Sequence, residues 1–236
     1  MKKILVTLGP SSMIKEVVTK LTEIGVHLFR INLSHTALDS VEQNIKLIRS
    51  WTDVPICLDS EGAQLRNGIM SSEQVFFEIN DKITVSNKPI TGNSKILSFN
   101  PTNISDQFKK NDEIQVDFNH VKFKITKKHS DFCEAIVINS GIIGSNKAAD
   151  INRDLNFEPL TIKDKEAIKI GLKNGIKNFA MSFTNKPEDV ELMRDLCGHK
   201  SNIICKIESP SGIKNLEKII QKSDEILIDR GDLSRR

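Results

Sequence analysis

The sequence predicts an α/β protein of the parallel-barrel type, about six strands long and interrupted by a small β domain. Three observations predict it. Short continuous apolar runs alternate with segments of helical period at both ends of the chain. Between them, from about residue 71 to 144, short runs rich in Phe, Ile and Val are separated by turn residues. Polar and charged residues gather just after the apolar runs of the outer segments, where parallel strands deliver them to one rim.

The elements follow in order. Lys3 to Thr7 reads as a strand, and Met13 to Ile24 as a helix whose apolar positions are Met13, Val17, Val18, Leu21 and Ile24, closed by Gly25. Val26 to Leu33 is strand-like. Asp39 or Ser40 is the expected cap of a helix carrying Val41, Ile45, Ile48 and Trp51 on one side. Pro55 to Asp59 is a third strand. In the middle segment, Gln74–Ile79, Lys82–Val85, Glu113–Phe118, Val121–Thr126 and Glu134–Ile138 read as strands of a small antiparallel domain. Helical period returns over Asp164 to Leu172, with Thr161 and Asp164 spaced for a capping box and Gly175 beyond. Lys177 to Phe183 is a fourth strand, Pro187 opens a helix through Leu196, and Ile203 to Ile207 is a fifth strand. Ser211 to Ile220 is a helix and Glu225 to Asp229 a sixth strand. The expected organisation is barrel over 1–69 and 152–236, with the β domain over 70–151. Six strands fall short of the usual eight. The chain is then a fragment, or a partner completes it, or the sheet stays open.

Composition limits the function. The 236 residues suffice for one large core plus a small satellite domain. A net charge of +3, with basic residues dispersed, argues against nucleic acid as a partner. No apolar run approaches the roughly 20 residues of a membrane span, and the N-terminus loses its apolar character too early for a signal peptide. A cytoplasmic location is expected. Cys57, Cys133, Cys197 and Cys205 form no C-x-x-C pair and read as free thiols.

The residues after the strands carry the chemistry. The second run holds Arg30, Asn32, Ser34 and His35. The third ends in Asp59-Ser60-Glu61-Gly62, with Arg66 downstream; the fourth in Ser182-Phe183; the fifth in Lys206-Ile207-Glu208; the sixth in Asp229-Arg230-Gly231-Asp232. Glu208 and Asp232 are hard oxygen donors suited to Mg²⁺ or Mn²⁺. Lys206 and Arg30 put fixed positive charge beside them, an arrangement suited to an anionic substrate and to phosphate above all. Taken singly, Lys206 and Glu208 are equally readable as strand residues paired with surface charges. Ser and Asn after strands more often shape turns or cap helices. Only the whole set is specific.

The segments Lys3–Ser12, Phe29-Arg30-Ile31-Asn32-Leu33-Ser34-His35, Leu58–Gly68, Met181-Ser182-Phe183, Lys206-Ile207-Glu208 and Arg230-Gly231-Asp232-Leu233 resemble, in order and at compatible spacing, the signature motifs of the pyruvate kinases. The resemblance covers nearly the whole chain and is faint over 71–150. It implies an incomplete (β/α) TIM-type barrel of the phosphoenolpyruvate/pyruvate type with an inserted small β-barrel lid. It also implies glycolytic phosphoryl transfer from phosphoenolpyruvate to ADP, giving pyruvate and ATP, with Mg²⁺ (or Mn²⁺) and K⁺. By the resemblance, Arg30 and Lys206 are catalytic; Glu208 and Asp232 hold Mg²⁺; Asn32, Ser34, Asp59 and Ser60 hold K⁺; Arg66 and His35 face the nucleotide; and Arg30, Ser182, Gly231 and Asp232 bind substrate. A full-length member is expected to be a homo-oligomer. Glu61 stands where the family has Lys, Ala63 where it has Pro, and Asp229 where it has Ala. The seventh and eighth strands have no counterpart. These departures keep two alternatives in view: a metal-dependent pyruvate or keto-acid lyase or aldolase on the same barrel, and an inactive truncated homologue.

Overall fold

The structure, a computed structural model, describes residues 3–62, 64–117, 120–153 and 155–233, without the side chain of Asp232. The chain divides into two compact units, residues 1–63 with 158–236, and residues 64–157.

The first unit opens with β1 (Leu5–Leu8), α1 (Lys15–Glu23), β2 (Leu28–Asn32), α2 (Val41–Arg49) and β3 (Ile56–Asp59). The second unit contributes β4 (Arg66–Asn67), β5 (Val75–Phe77), β6 (Lys82–Ser86), β7 (Ile96–Asn100), β8 (Glu113–Val116), β9 (Val121–Lys128), β10 (Phe132–Asn139), β11 (Gly141–Ile143) and β12 (Ala149–Ile151). The first unit resumes with α3 (Ile162–Lys173), β13 (Asn178–Met181), α4 (Pro187–Cys197), β14 (Asn202–Ile207), α5 (Pro210–Lys214), α6 (Leu216–Ile220), β15 (Glu225–Ile228) and α7 (Arg230–Leu233).

In the first unit six strands form one sheet in the order β1-β2-β3-β13-β14-β15, every neighbouring pair parallel. All four residues of β3 are buried, as expected of a parallel strand covered on both faces. One face of the sheet packs Phe29, Ile31, Leu58, Phe179, Met181 and Ile203 against Val41, Ile45, Ile48, Ala167 and Val190 of the helices. Cys57, Ala180 and Ile204, alternating with those positions, form a separate cluster on the other face. Lys3 Nζ lies 3.6 Å from Glu225 Oε1, so the starts of the two edge strands approach each other and the sheet curls in the manner of an α/β barrel.

Two expectations for this unit need correction. The helix over Ser211–Ile220 is two short helices, α5 and α6, parted at Asn215, whose Nδ2 donates to the Asn185 carbonyl at 2.8 Å. α2 begins without a side-chain cap: the Ser40 hydroxyl donates to Asp39 Oδ1 at 3.2 Å instead of serving the helix N-terminus. Thr161 and Asp164 do form the capping box of α3.

The second unit is a seven-stranded sheet in the order β12-β8-β9-β10-β6-β7-β4, with β5 and β11 paired separately. Its edges meet: Arg66 bridges Ala148, Asn67 N–H donates to the Lys147 carbonyl at 3.1 Å, and Ala149 N–H donates to the Leu65 carbonyl at 2.9 Å. This small sheet is therefore nearly closed, around Phe77, Val85, Leu97, Ile114, Phe123 and Val137. β9 shows why: Val121, Phe123 and Ile125 point inward between lysines. The expected antiparallel pairing fails at one place, since β6 and β7 are parallel. β4, β7, β11 and β12 lie outside the five runs read from the sequence. Three of them are only two or three residues long, and buried Ser98 interrupts the apolar run of β7.

No helix among the described residues is long and apolar enough to cross a membrane. All four cysteines are free and buried.

Candidate active site

Because the six strands of the first unit run one way, their C-terminal ends form a single rim, and the motif residues of Arg30, Asp59, Ser182 and Lys206 meet there. The register explains part of this: Thr7 pairs with Arg30, and Asn32 with Asp59.

Lys206 is the centre. It is 6% exposed, at the penultimate position of β14. Its Nζ lies 3.1 Å from Glu208 Oε1 and 3.4 Å from Asp59 Oδ2, and donates to Ser182 Oγ at 2.9 Å. Arg30 Nη1 reaches the same Asp59 oxygen at 3.2 Å, while Arg30 Nε donates to Thr7 Oγ1 at 2.7 Å. Two cations thus meet two carboxylates that are each 1% exposed. Burial works against the Lys206 ammonium, but Asp59 and Glu208 outweigh it and hold its pKa above the ordinary lysine value. Burial pushes the Glu208 carboxyl up, the negative charge of Asp229 adds to that, and Lys206 opposes it. Burial also raises Asp59, against Lys206 and Arg30.

Backbone holds the rest. Glu208 Oε2 accepts from Phe183 N–H at 2.7 Å, and Phe183 carries φ 52°, a left-handed conformation costly for a bulky residue. Ser182 Oγ donates to Asp59 Oδ1 at 3.2 Å, and Ser182 N–H donates to Ser60 Oγ at 3.0 Å. Gly62, with φ 71°, passes so close to Ser182 that a Cβ there would lie 2.6 Å from the Ser182 carbonyl oxygen.

The remaining predicted residues are placed as follows. Asn32 ends β2, and its side-chain oxygen accepts from Ser34 N–H at 2.9 Å in the short 3-10 turn Leu33–His35. His35 is exposed at the end of that turn. Gly231 lies in α7, its N–H donating to Asp229 Oδ1 at 3.1 Å; the Asp232 side chain is outside the described residues. Arg66 belongs to the second unit, in β4, where Nη1 donates to the Asn146 carbonyl at 2.9 Å.

Two residues of this rim were not singled out from the sequence. Thr7 orients Arg30, and its signal was a hydroxyl within an otherwise apolar strand. Lys163 pairs with Glu61, Nζ to Oε1 at 2.8 Å, so the carboxylate that departs from the family pattern is balanced.

Among the described residues no three His, Cys, Asp or Glu side chains converge to hold a metal by themselves. The donor chemistry nevertheless fits the ions implied. Mg²⁺ commonly takes one or two carboxylates and fills its shell with water and substrate oxygens. Glu208 offers a buried carboxylate whose oxygens each retain accepting capacity beside one donor. Asn32, Ser34, Asp59 and Ser60 are all oxygen donors with one formal negative charge, on adjacent strand ends.

Comparison with known proteins agrees with the motifs. A family model described as "Pyruvate kinase, barrel domain" matches residues 1–235. A pyruvate kinase of Thermotoga maritima is 32% identical over 98% of this chain and 52% of its own length. One from Thermococcus litoralis is 28% identical over 98% and 50%. The chloroplastic plastidial pyruvate kinase 3 of Arabidopsis thaliana is 29% identical over 98% and 42%. The chain spans about half the length of the curated relatives it matches. By its motifs, its parallel sheet and this match, the chain belongs to the pyruvate kinase family.

Proposed function

We propose that this chain carries the phosphoryl-transfer rim of a pyruvate kinase, moving the phosphoryl group of phosphoenolpyruvate to ADP. The bond from phosphorus to the enol oxygen breaks, a bond to a terminal phosphate oxygen of ADP forms, and the enolate left behind takes a proton to become pyruvate. Transfer between two anions meets strong repulsion, so catalysis is mostly positioning and fixed positive charge. The observation that carries the reading is the buried Lys206 ammonium, held by Asp59, Glu208 and Ser182 beside Arg30. A buried, fully partnered cation needs little reorganisation when negative charge develops next to it.

In this reading Lys206 stabilises the phosphoryl group in transit and the enolate, and Arg30 binds the phosphoryl oxygens. Ser182 and the Gly231 segment border the substrate. Glu208 and Asp232 would hold Mg²⁺, which supplies Lewis-acid charge neutralisation to the substrate carboxylate and phosphate when bound. Asn32, Ser34, Asp59 and Ser60 would hold K⁺. Arg66 and His35 are assigned to nucleotide phosphates, and the β unit to the role of lid. The lyase alternative drew on Glu61 and Asp229; the Glu61–Lys163 pair removes half of its motive.

The test is pyruvate release from phosphoenolpyruvate and ADP, coupled to NADH oxidation, with the 236-residue chain and its Lys206→Met variant. A Mg²⁺- and K⁺-dependent rate that falls at least about a hundredfold in the variant is expected. A rate equal in both, or absent from both, refutes the proposal for this chain. Tight Mg·ADP binding by calorimetry separates the kinase from the lyase, which needs no nucleotide.

A further inference from the structure

The four oxygen donors assigned to K⁺ are Asn32 and Asp59, the last residues of β2 and β3, with Ser34 in the turn after β2 and Ser60 in the loop after β3; turn and loop are both tied to the first turn of α3. Asp164, fully buried, accepts from the backbone N–H groups of Glu61 at 2.7 Å, Gly62 at 3.2 Å and Thr161 at 2.9 Å. Lys163 reaches the other way. Its Nζ donates to the Leu33 carbonyl at 2.6 Å and to Glu61 Oε1 at 2.8 Å.

The two halves of the donor set are not equally supported. Pairing of β2 with β3 fixes Asn32 against Asp59, and Ser60 is anchored to β13 through its N–H to the Ala180 carbonyl at 3.0 Å. Ser34 lies beyond the ladder, in a turn held to its own strand by the Asn32 side chain and the Thr36 hydroxyl. The Lys163 bond to the Leu33 carbonyl ties that turn to α3, and the Glu61 pair ties Lys163 to the loop holding Ser60. We infer that the Lys163–Glu61 pair is a strut that sets the distance of the Ser34 turn from the rest of the monovalent-cation donor set. Lys163 and Glu61 are then positioning residues for K⁺ affinity and for discrimination by ion size. The inference rests on the K⁺ reading proposed above.

The physical reason is that cation preference depends on cage size, ligand number and rigidity. Donors must be held to within about 0.5 Å by the residues behind them. The strut belongs to this chain: a Lys at position 61, as in the family pattern, would repel Lys163. Both side chains are 29% exposed, and such a pair adds little to global stability. Its removal therefore probes the cation site without unfolding the unit.

The experiment is urea unfolding of the 236-residue chain, followed by the fluorescence of its one tryptophan, Trp51, in choline, Cs⁺ and K⁺ at equal ionic strength. Tl⁺ binding by thallium NMR gives a direct second readout. Wild type is expected to gain stability in K⁺ over choline and less in Cs⁺. Lys163→Met and Glu61→Gln should each need about tenfold more K⁺ for half of that gain, a loss of about 1.4 kcal/mol of binding. They should also lose the preference over Cs⁺ while keeping the wild-type midpoint in choline. Lys163→Arg, which keeps a cation and donors, should largely restore both. If wild type gains nothing from K⁺, the K⁺ assignment and the strut both fall. If wild type gains but the two variants respond at wild-type K⁺, the strut alone is overturned. A midpoint that falls as far in choline as in K⁺ makes the pair merely structural and also overturns it.

Discussion

Replacing Lys206 by Met keeps most of the side-chain volume and removes one charge from the centre of the rim. The structure lets the cost be worked out. At 3.1 Å and 3.4 Å, the contacts to Glu208 and Asp59 are each worth about 5 kcal/mol in an effective dielectric of about 20. Desolvation of the buried ammonium offsets much of this, and removing one member of a buried ion pair typically costs about 3–5 kcal/mol. Asp59 keeps Arg30 at 3.2 Å, so the orphan is Glu208, left among the described residues with the Phe183 N–H alone. We therefore expect a loss at the lower end, about 3 kcal/mol at neutral pH. Urea unfolding followed by Trp51 fluorescence measures it. Trp51 is the only tryptophan and packs against the core of the first unit, so the signal reports on the unit that carries the change. The slope should stay constant while the midpoint falls. Adding Glu208→Gln should recover part of the loss, because the amide can accept from Phe183 without an unpaired charge. A loss below about 1 kcal/mol, or a double variant weaker than the single one by the full cost of Glu208→Gln, would refute the account of a charge-balanced buried centre.

Gly62→Ala should cost about 2 kcal/mol or more, since φ is 71° and the new Cβ meets the Ser182 backbone at 2.6 Å; wild-type stability in the same unfolding experiment would contradict it. Burial raises the Asp189 carboxyl above its ordinary value of 3.8, against two backbone N–H donors. Its stabilising contribution is then complete below that value and is lost as pH rises through the raised one. The stability of wild type relative to Asp189→Asn should accordingly fall as titration runs from about pH 3 to about pH 7. Burial also pushes Cys197 up to about 12 and Cys205 up to about 11, and raises Cys57 and Cys133. The native chain should resist iodoacetamide at mildly alkaline pH and take up four equivalents once unfolded, counted by mass spectrometry.

The sequence by itself determined the alternation of strands and helices in the outer segments. Continuous apolar runs such as Ile56-Cys57-Leu58 suit burial on both faces, and helices with caps such as Thr161 carry local signals. It also brought out Arg30, Asp59, Lys206 and Glu208, though not Lys163, because their motifs lie at or near strand ends and parallel strands end on one side. Short pairing strands such as β4 and β12 were illegible, since two or three residues show no period and their partners lie far away in sequence. The parallel pairing of β6 with β7 was equally hidden, because pairing direction is a relation between segments. Only the tertiary structure decided who partners whom. Lys206 is shared by Asp59 and Glu208, Thr7 holds Arg30, Phe183 bends to present its N–H, and Glu61 is spent on Lys163. A sequence fixes which charges exist; their energies depend on distance and burial, and both come from packing residues up to 147 positions apart.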